Sequence, residues 1–157
     1  MVGILVSMLQ ATRGGFRLTY TITNDGVFVT RWSAKLFGRG TFVLADGGYT
    51  TKARILGSEF MLIDPYGRQL AVASNPYRRQ WTVTAGTQGY VFHRPSWWRQ
   101  HLDLVVGGQP VGFIQRPSLY GTAVAELPMM PLAVQVFALV LALYSWDVQP
   151  ATAWPAA

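Results

Sequence analysis

The sequence predicts an all-β domain with one helix: a closed antiparallel β-barrel of about 11–12 strands around a buried, apolar C-terminal helix. Three observations carry this expectation. Turn-forming residues recur about every ten positions as far as residue 127, the spacing of a sandwich or barrel. Between the turns, apolar and polar residues alternate. After residue 127 the pattern changes to one uncharged run, PLAVQVFALVLALYSW, from Pro131 to Trp146.

The turns come in order. Asn24-Asp25-Gly26 is followed by Gly38-Arg39-Gly40 and Asp46-Gly47-Gly48, then by Leu56-Gly57-Ser58 and Asp64-Pro65-Tyr66-Gly67. Asn75-Pro76-Tyr77, Ala85-Gly86-Thr87, Arg94-Pro95-Ser96, Gly107-Gly108 and Arg116-Pro117-Ser118 complete the series. Asn-Gly and Asp-Gly pairs tolerate the positive φ angles that tight hairpins require. Between these turns Leu18, Tyr20 and Ile22 share one face, and Thr19, Thr21 and Thr23 the other. Trp81 and Val83 alternate with Thr82 and Thr84, and Leu102, Leu104 and Val106 with His101 and Asp103. A period of two with one wet face marks antiparallel sheet. The count reaches about eleven strands, too many for an open sheet in a chain of this size. Met1 to Leu9 is apolar but has no basic residue before it and no small-residue cleavage site after it. It reads as an early strand or a short packed segment rather than a signal peptide.

Leu, Ala, Val and Phe fall on every face of a helix spanning 131–146, and a helix apolar all round is buried in protein or in lipid. Pro131 suits the start, and Asp147 with Pro150 stops the run. At ~1.5 Å per residue the helix is about 24 Å long, short for a bilayer. Burial inside the barrel follows. A tail anchor through 131–146 stays as the alternative. The expected organisation is one domain over 1–147 and a short tail over 148–157.

Half of the residues are hydrophobic and 13% are charged, which excludes a disordered chain. There is no cysteine, hence no disulfide framework and no thiol chemistry, as suits a reducing cytoplasm. The net charge of +6 rests on eleven arginines against two lysines. Arginine holds phosphate and carboxylate in a planar fork, so an anionic partner is one reading; the codon usage of a GC-rich genome is the other.

Catalytic constellations do not stand out. His93, His101 and Asp103 on neighbouring strands could sketch a metal site, but no further ligand lies near them in sequence. Asp25, Asp46 and Asp64 sit in turns, where aspartate has a structural reason to be. No nucleophile elbow is present, and no helix follows Gly38-Arg39-Gly40 to make a phosphate cradle. The expectation is no catalytic residue, no metal and no cofactor. Nucleic acid is disfavoured as a partner, because the aromatics occupy core positions of the strands.

The segment FMLIDPYGRQLAVASNPYRRQWTV, Phe60 to Val83, and the tail from Glu126 to Trp146 resemble the tubby C-terminal-like superfamily. That group includes the LURP-one-related proteins and the phospholipid scramblases, with bacterial members among them. The resemblance implies a twelve-stranded barrel around a hydrophobic helix. It also implies functions at membranes, as in phosphoinositide-binding adaptors and scramblases. No phosphate-binding residue transfers by position, and the calcium-linked and cysteine-rich features of scramblases are missing.

In an up-and-down barrel, successive turns fall at alternate ends. The turns at 24–26, 46–48, 64–67, 85–87 and 107–108 then share an acidic end. Those at 38–40, 56–58, 77–79, 94–99 and 116–120 share a basic, aromatic end. This parity proposes Arg78, Arg79, Arg94 and Arg99, with Trp97 and Trp98, as a surface for anionic headgroups. A structural role competes with it. The helix should finish at the basic end, where the same arginines could neutralise its carbonyls around residues 143 to 146. Two functional readings follow. The first is a cytoplasmic binding module peripheral to an anionic membrane or holding a phosphorylated ligand. The second is a structural or protein-interaction domain with no small ligand. The sequence does not indicate the oligomeric state.

Overall fold

The computed structural model describes residues 8–14, 19–34, 39–54, 58–117 and 121–147. Alternation becomes strand wherever the sequence shows it. The strands are β1 (Met8–Gly14), β2 (Thr19–Asn24), β3 (Val27–Ala34), β4 (Gly40–Leu44), β5 (Gly47–Arg54) and β6 (Glu59–Ile63). They continue with β7 (Gln69–Ser74), β8 (Gln80–Ala85), β9 (Gln88–His93), β10 (His101–Val106), β11 (Gln109–Gln115) and β12 (Ala123–Glu126). Each strand pairs antiparallel with its sequence neighbours, and β12 closes against β1 with Met8 opposite Glu126 and Ala11 opposite Ala123. The result is a closed twelve-stranded barrel in which, among the described residues, no strand stands at a free sheet edge.

The twelfth strand, against the eleven that the turns count out, is β1. Leu9 and Ala11 point inward and Gln10 and Thr12 outward. Residues 1–7, read above as an early segment, lie outside the described residues. Inward positions elsewhere are those the alternation marks: Tyr20 and Ile22, Trp81 and Val83, Leu102 and Leu104 are all buried. Ala11, Ala71, Ala73, Ala123 and Ala125 also point inward, and such small side chains leave room for a central element.

That element is the helix α1 (Leu132–Asp147). Every residue from Ala133 to Leu143 is buried, so apolar side chains on all helical faces meet the barrel wall rather than water. The helix begins and ends one residue later than the sequence predicts. Pro131 caps it from outside, its carbonyl accepting the Gln135 N–H at 2.9 Å. At the far end an ion pair holds Asp147 within the last turn. Among the described residues, no helix is long and apolar enough to cross a membrane.

Hairpin geometry follows turn chemistry. Asp25 (φ 50°) and Gly26 (φ 84°) both take positive φ between β2 and β3, as a type I′ hairpin requires. The third turn departs from expectation. Ala45-Asp46 makes it, while Gly47 and Gly48 enter β5. Gly47 answers a packing need: with φ 132°, a Cβ there would stand 2.7 Å from Pro65.

Candidate functional site

The meander sends its connections to alternate ends. The β2–β3, β4–β5, β6–β7, β8–β9 and β10–β11 turns and the start of α1 share what is called here the hairpin end. The β7–β8, β9–β10 and β11–β12 loops and the C-terminus of α1 share the arginine end. Residues 35–38, 55–57 and 118–120, which the turn parity places at the arginine end, lie outside the described residues.

The β7–β8 loop is shaped by Asn75. Its Oδ1 accepts the Tyr77 N–H at 2.9 Å and its carbonyl accepts the Arg78 N–H at 3.3 Å, a turn that leaves Arg78 and Arg79 exposed. The β9–β10 loop is fastened to it by Arg94. The Arg94 N–H donates to the Arg79 carbonyl at 2.7 Å, and Arg94 Nη2 donates to the Pro76 carbonyl at 3.0 Å. The Arg94 guanidinium lies 5.1 Å from the centre of the Trp97 ring, and that of Arg79 lies 5.8 Å from the same ring. Trp97 is thus half-buried under two cations, a favourable arrangement for both. Trp98, next in sequence, turns outward and is 83% exposed, and Arg99 is exposed beside it.

The six residues that the sequence singles out therefore divide. Arg78, Arg79, Arg99 and Trp98 reach solvent at one end of the barrel, and Trp97 lies half-buried beneath Arg79 and Arg94. Arg94 is 3% exposed and acts as the clamp between two loops. Burial pushes its guanidinium down from the usual value to about 10, which still leaves it charged at neutral pH.

Sequence reasoning missed Arg116 as a site residue. It is 3% exposed, and its Nη2 lies 2.8 Å from Asp147 Oδ1 at the end of α1. Its Nε donates to Gln100 Oε1 at 2.7 Å and its Nη1 to the Tyr20 hydroxyl at 3.3 Å, with Trp146 stacked 5.7 Å away. Tyr20 in turn donates to Asp147 Oδ2. Burial first, and then this bond to a carboxylate, push the Tyr20 hydroxyl well above its ordinary pKa. None of Arg78, Arg79, Arg94 and Arg99 is seen on the helix carbonyls around residues 143 to 146; Arg116 instead pairs with the side-chain carboxylate of Asp147 at the helix end. A signal for both buried arginines exists in the sequence. Arg94 continues by twos the inward series Tyr90, Phe92, and Arg116 follows the inward Ile114 by two.

A groove of about 590 Å³ runs beside these loops, lined among others by Trp98, Arg99, His101, Gln115 and Arg116. His101 sits in its wall with both ring nitrogens occupied. Nε2 is 2.8 Å from Asp103 Oδ1, Nδ1 is 3.2 Å from Gln115 Oε1, and the ring stacks on Phe113. His93 stands opposite Asp103 in the sheet register. Among the described residues no three His, Cys, Asp or Glu side chains come together as a metal site.

No protein-family model matches the chain, and no curated protein matches it. Among solved structures, an X-ray structure of a protein from Arabidopsis thaliana is similar at 14% identity over 92% of this chain and 93% of that one, with a TM-score of 0.41.

Proposed function

We propose that this chain is a non-enzymatic, tubby-like binding domain that docks on anionic phospholipid at a cytoplasmic membrane surface through its arginine end. One observation carries the reading: Arg78, Arg79 and Arg99 stand exposed with Trp98 on two loops that buried Arg94 ties together. Arginine makes paired hydrogen bonds to phosphate oxygens. Because the clamp fixes the loops beforehand, little ordering cost remains on binding. The exposed indole favours a bilayer over a free phosphate, since Trp settles at the interface between headgroups and acyl chains. The helix-filled barrel and the Phe60–Val83 hairpin series support the tubby-like assignment.

A basic residue near an anionic leaflet contributes about 1 kcal/mol, so three arginines give about 3 kcal/mol, a preference of roughly a hundredfold over neutral lipid. Such binding is reversible and weakens with salt. The test is co-sedimentation with phosphatidylcholine vesicles, with and without phosphatidylserine, at low and high salt. Binding is expected only with phosphatidylserine at low salt, and is lost in the Arg78→Ala, Arg79→Ala double variant. Trp98→Ala should weaken vesicle binding, while inorganic phosphate should compete poorly. Equal binding to both vesicle types, or full binding by the double arginine variant, overturns the reading.

A further inference from the structure

The hairpin end has a character that lipid docking by the arginine end leaves unused. Among the described residues, every exposed large hydrophobic side chain except Trp98 lies there. Val106 closes β10, Met129 sits in the β12–α1 connection, Val27 and Phe28 open β3, Val43 precedes the β4–β5 turn and Tyr66 tips the β6–β7 turn. In barrel order these belong to five consecutive connections, so they form one arc. Met129 is 87% exposed, Tyr66 79% and Phe28 62%. Single apolar side chains in water are ordinary, whereas several on neighbouring connections of one rim mark an interaction surface.

The same arc bears fixed negative charge. Asp25, Asp46 and Asp64 occupy three consecutive hairpins. Asp25 accepts the Met8 N–H at 3.3 Å, Asp46 the Tyr49 hydroxyl at 2.6 Å, and Asp64 the Tyr66 and Arg68 N–H groups at 2.9 Å each. These bonds set the position of each carboxylate at the rim. Arg68 is the basic side chain of the β6–β7 turn, and it lies over the Tyr66 ring.

The surface that complements an apolar, acidic arc is a basic, aromatic one, and the chain carries it at the opposite end of its own barrel. We infer that the hairpin end of one copy docks on the arginine end of a second, head to tail. Pairing hairpin end with hairpin end would set aspartate against aspartate, and arginine end with arginine end would set guanidinium against guanidinium. The unlike pairing alone places opposite charges together, with Trp98 meeting the apolar arc. A contact between two different surfaces does not close on itself after two copies, so the assembly grows with concentration. It also covers the arginines proposed to hold lipid, although the inference stands on its own observations.

Sedimentation velocity on the full chain tests this. The wild type should exceed dimer mass as its concentration rises and shift back towards monomer in high salt. Two exposed-surface variants block one end each: Phe28→Asp with Tyr66→Asp, and Arg78→Glu with Arg79→Glu. Each should be monomeric alone, and a one-to-one mixture should give a species of twice the chain mass and nothing larger. Val43→Lys serves as a second hairpin-end variant should the first fail to show a native circular dichroism spectrum. The hairpin-end variant should bind phosphatidylserine vesicles at least as well as wild type, because its arginines are no longer covered, which separates this contact from lipid docking. A wild type monomeric at all concentrations, a mixture that stays monomeric, or an arginine-end variant that dimerises alone overturns the inference.

Discussion

Replacing Arg116 by Leu tests whether the buried ion pair fixes the helix inside the barrel. The substitution removes the cation that lies 2.8 Å from Asp147, where the side chains of the pair are 1% and 4% exposed. It also strips Gln100 Oε1 and the Tyr20 hydroxyl of the donors they face. Asp147 then remains as a carboxylate with Tyr20 as its remaining donor, at a helix C-terminus whose dipole already repels negative charge. Breaking one side of a buried pair costs about 3–5 kcal/mol. For a chain of this size each kcal/mol moves Tm by about 2–4 °C, so a fall of roughly 6–20 °C is expected. Calorimetry on the single variant and on Arg116→Leu with Asp147→Leu makes the measurement. The double variant should recover most of the loss, because two apolar side chains in place of a buried pair often match it in stability. A single variant within about 2 °C of wild type, no more than the shift for 1 kcal/mol, would mean that the pair does not hold the helix in place. So would a double variant no more stable than the single one.

Leu139 is fully buried in the middle of α1, so Leu139→Ala should cost about 2–5 kcal/mol in chemical denaturation and Leu139→Arg should prevent folding. Stability should fall above about pH 10, where tyrosine ionises in the unfolded chain. Burial, and then a bond to Asp46, push Tyr49 up to about 12, and Tyr20 is raised further. Raised values mean that the folded state keeps protons the unfolded state releases, so this contribution is whole below pH 10 and erodes as pH climbs through the folded values. Denaturation midpoints at pH 8 and pH 11 should differ clearly, and Tyr20→Phe should narrow the gap; equal midpoints would contradict it.

The barrel is legible because two local codes agree. Turn residues at regular spacing mark where strands end, and period-two alternation marks which side faces in, as Trp81 and Val83 or Leu102 and Leu104 do. The helix is legible for the opposite reason, since its apolar residues show no sidedness and only a complete enclosure satisfies them. What escapes is any feature set by a distant neighbour. Gly47 looks like a turn residue and is a strand residue placed under Pro65. Gly40 looks like another and instead admits the Trp32 indole, where a Cβ would stand 2.3 Å from Nε1. The short-range code has no record of either contact.

The arginines show the same division within a single site. Sequence reasoning gave them two competing roles, a surface for anions and a counter-charge for the helix terminus. The structure brings buried and exposed arginines to one end: Arg116 pairs with Asp147 and Arg94 ties two loops, while Arg78, Arg79 and Arg99 reach solvent. Position relative to the inward phase decides which. Arg94 and Arg116 fall in phase with the buried rows of β9 and β11, so their guanidinium groups turn in and must find carbonyls, a hydroxyl or a carboxylate. Arg78 and Arg99 lie in loops, outside any phase, and stay in water. Arg79 keeps the phase of Trp81 and Val83 but precedes the first residue of β8, and its side chain folds back over Trp97 at the surface. Loss of a buried guanidinium from this end should therefore read out as stability, and, on the proposed lipid docking, loss of an exposed one as binding. Arg94→Ala should lower Tm and release both loops, whereas Arg99→Ala should leave Tm unchanged and weaken only the vesicle interaction.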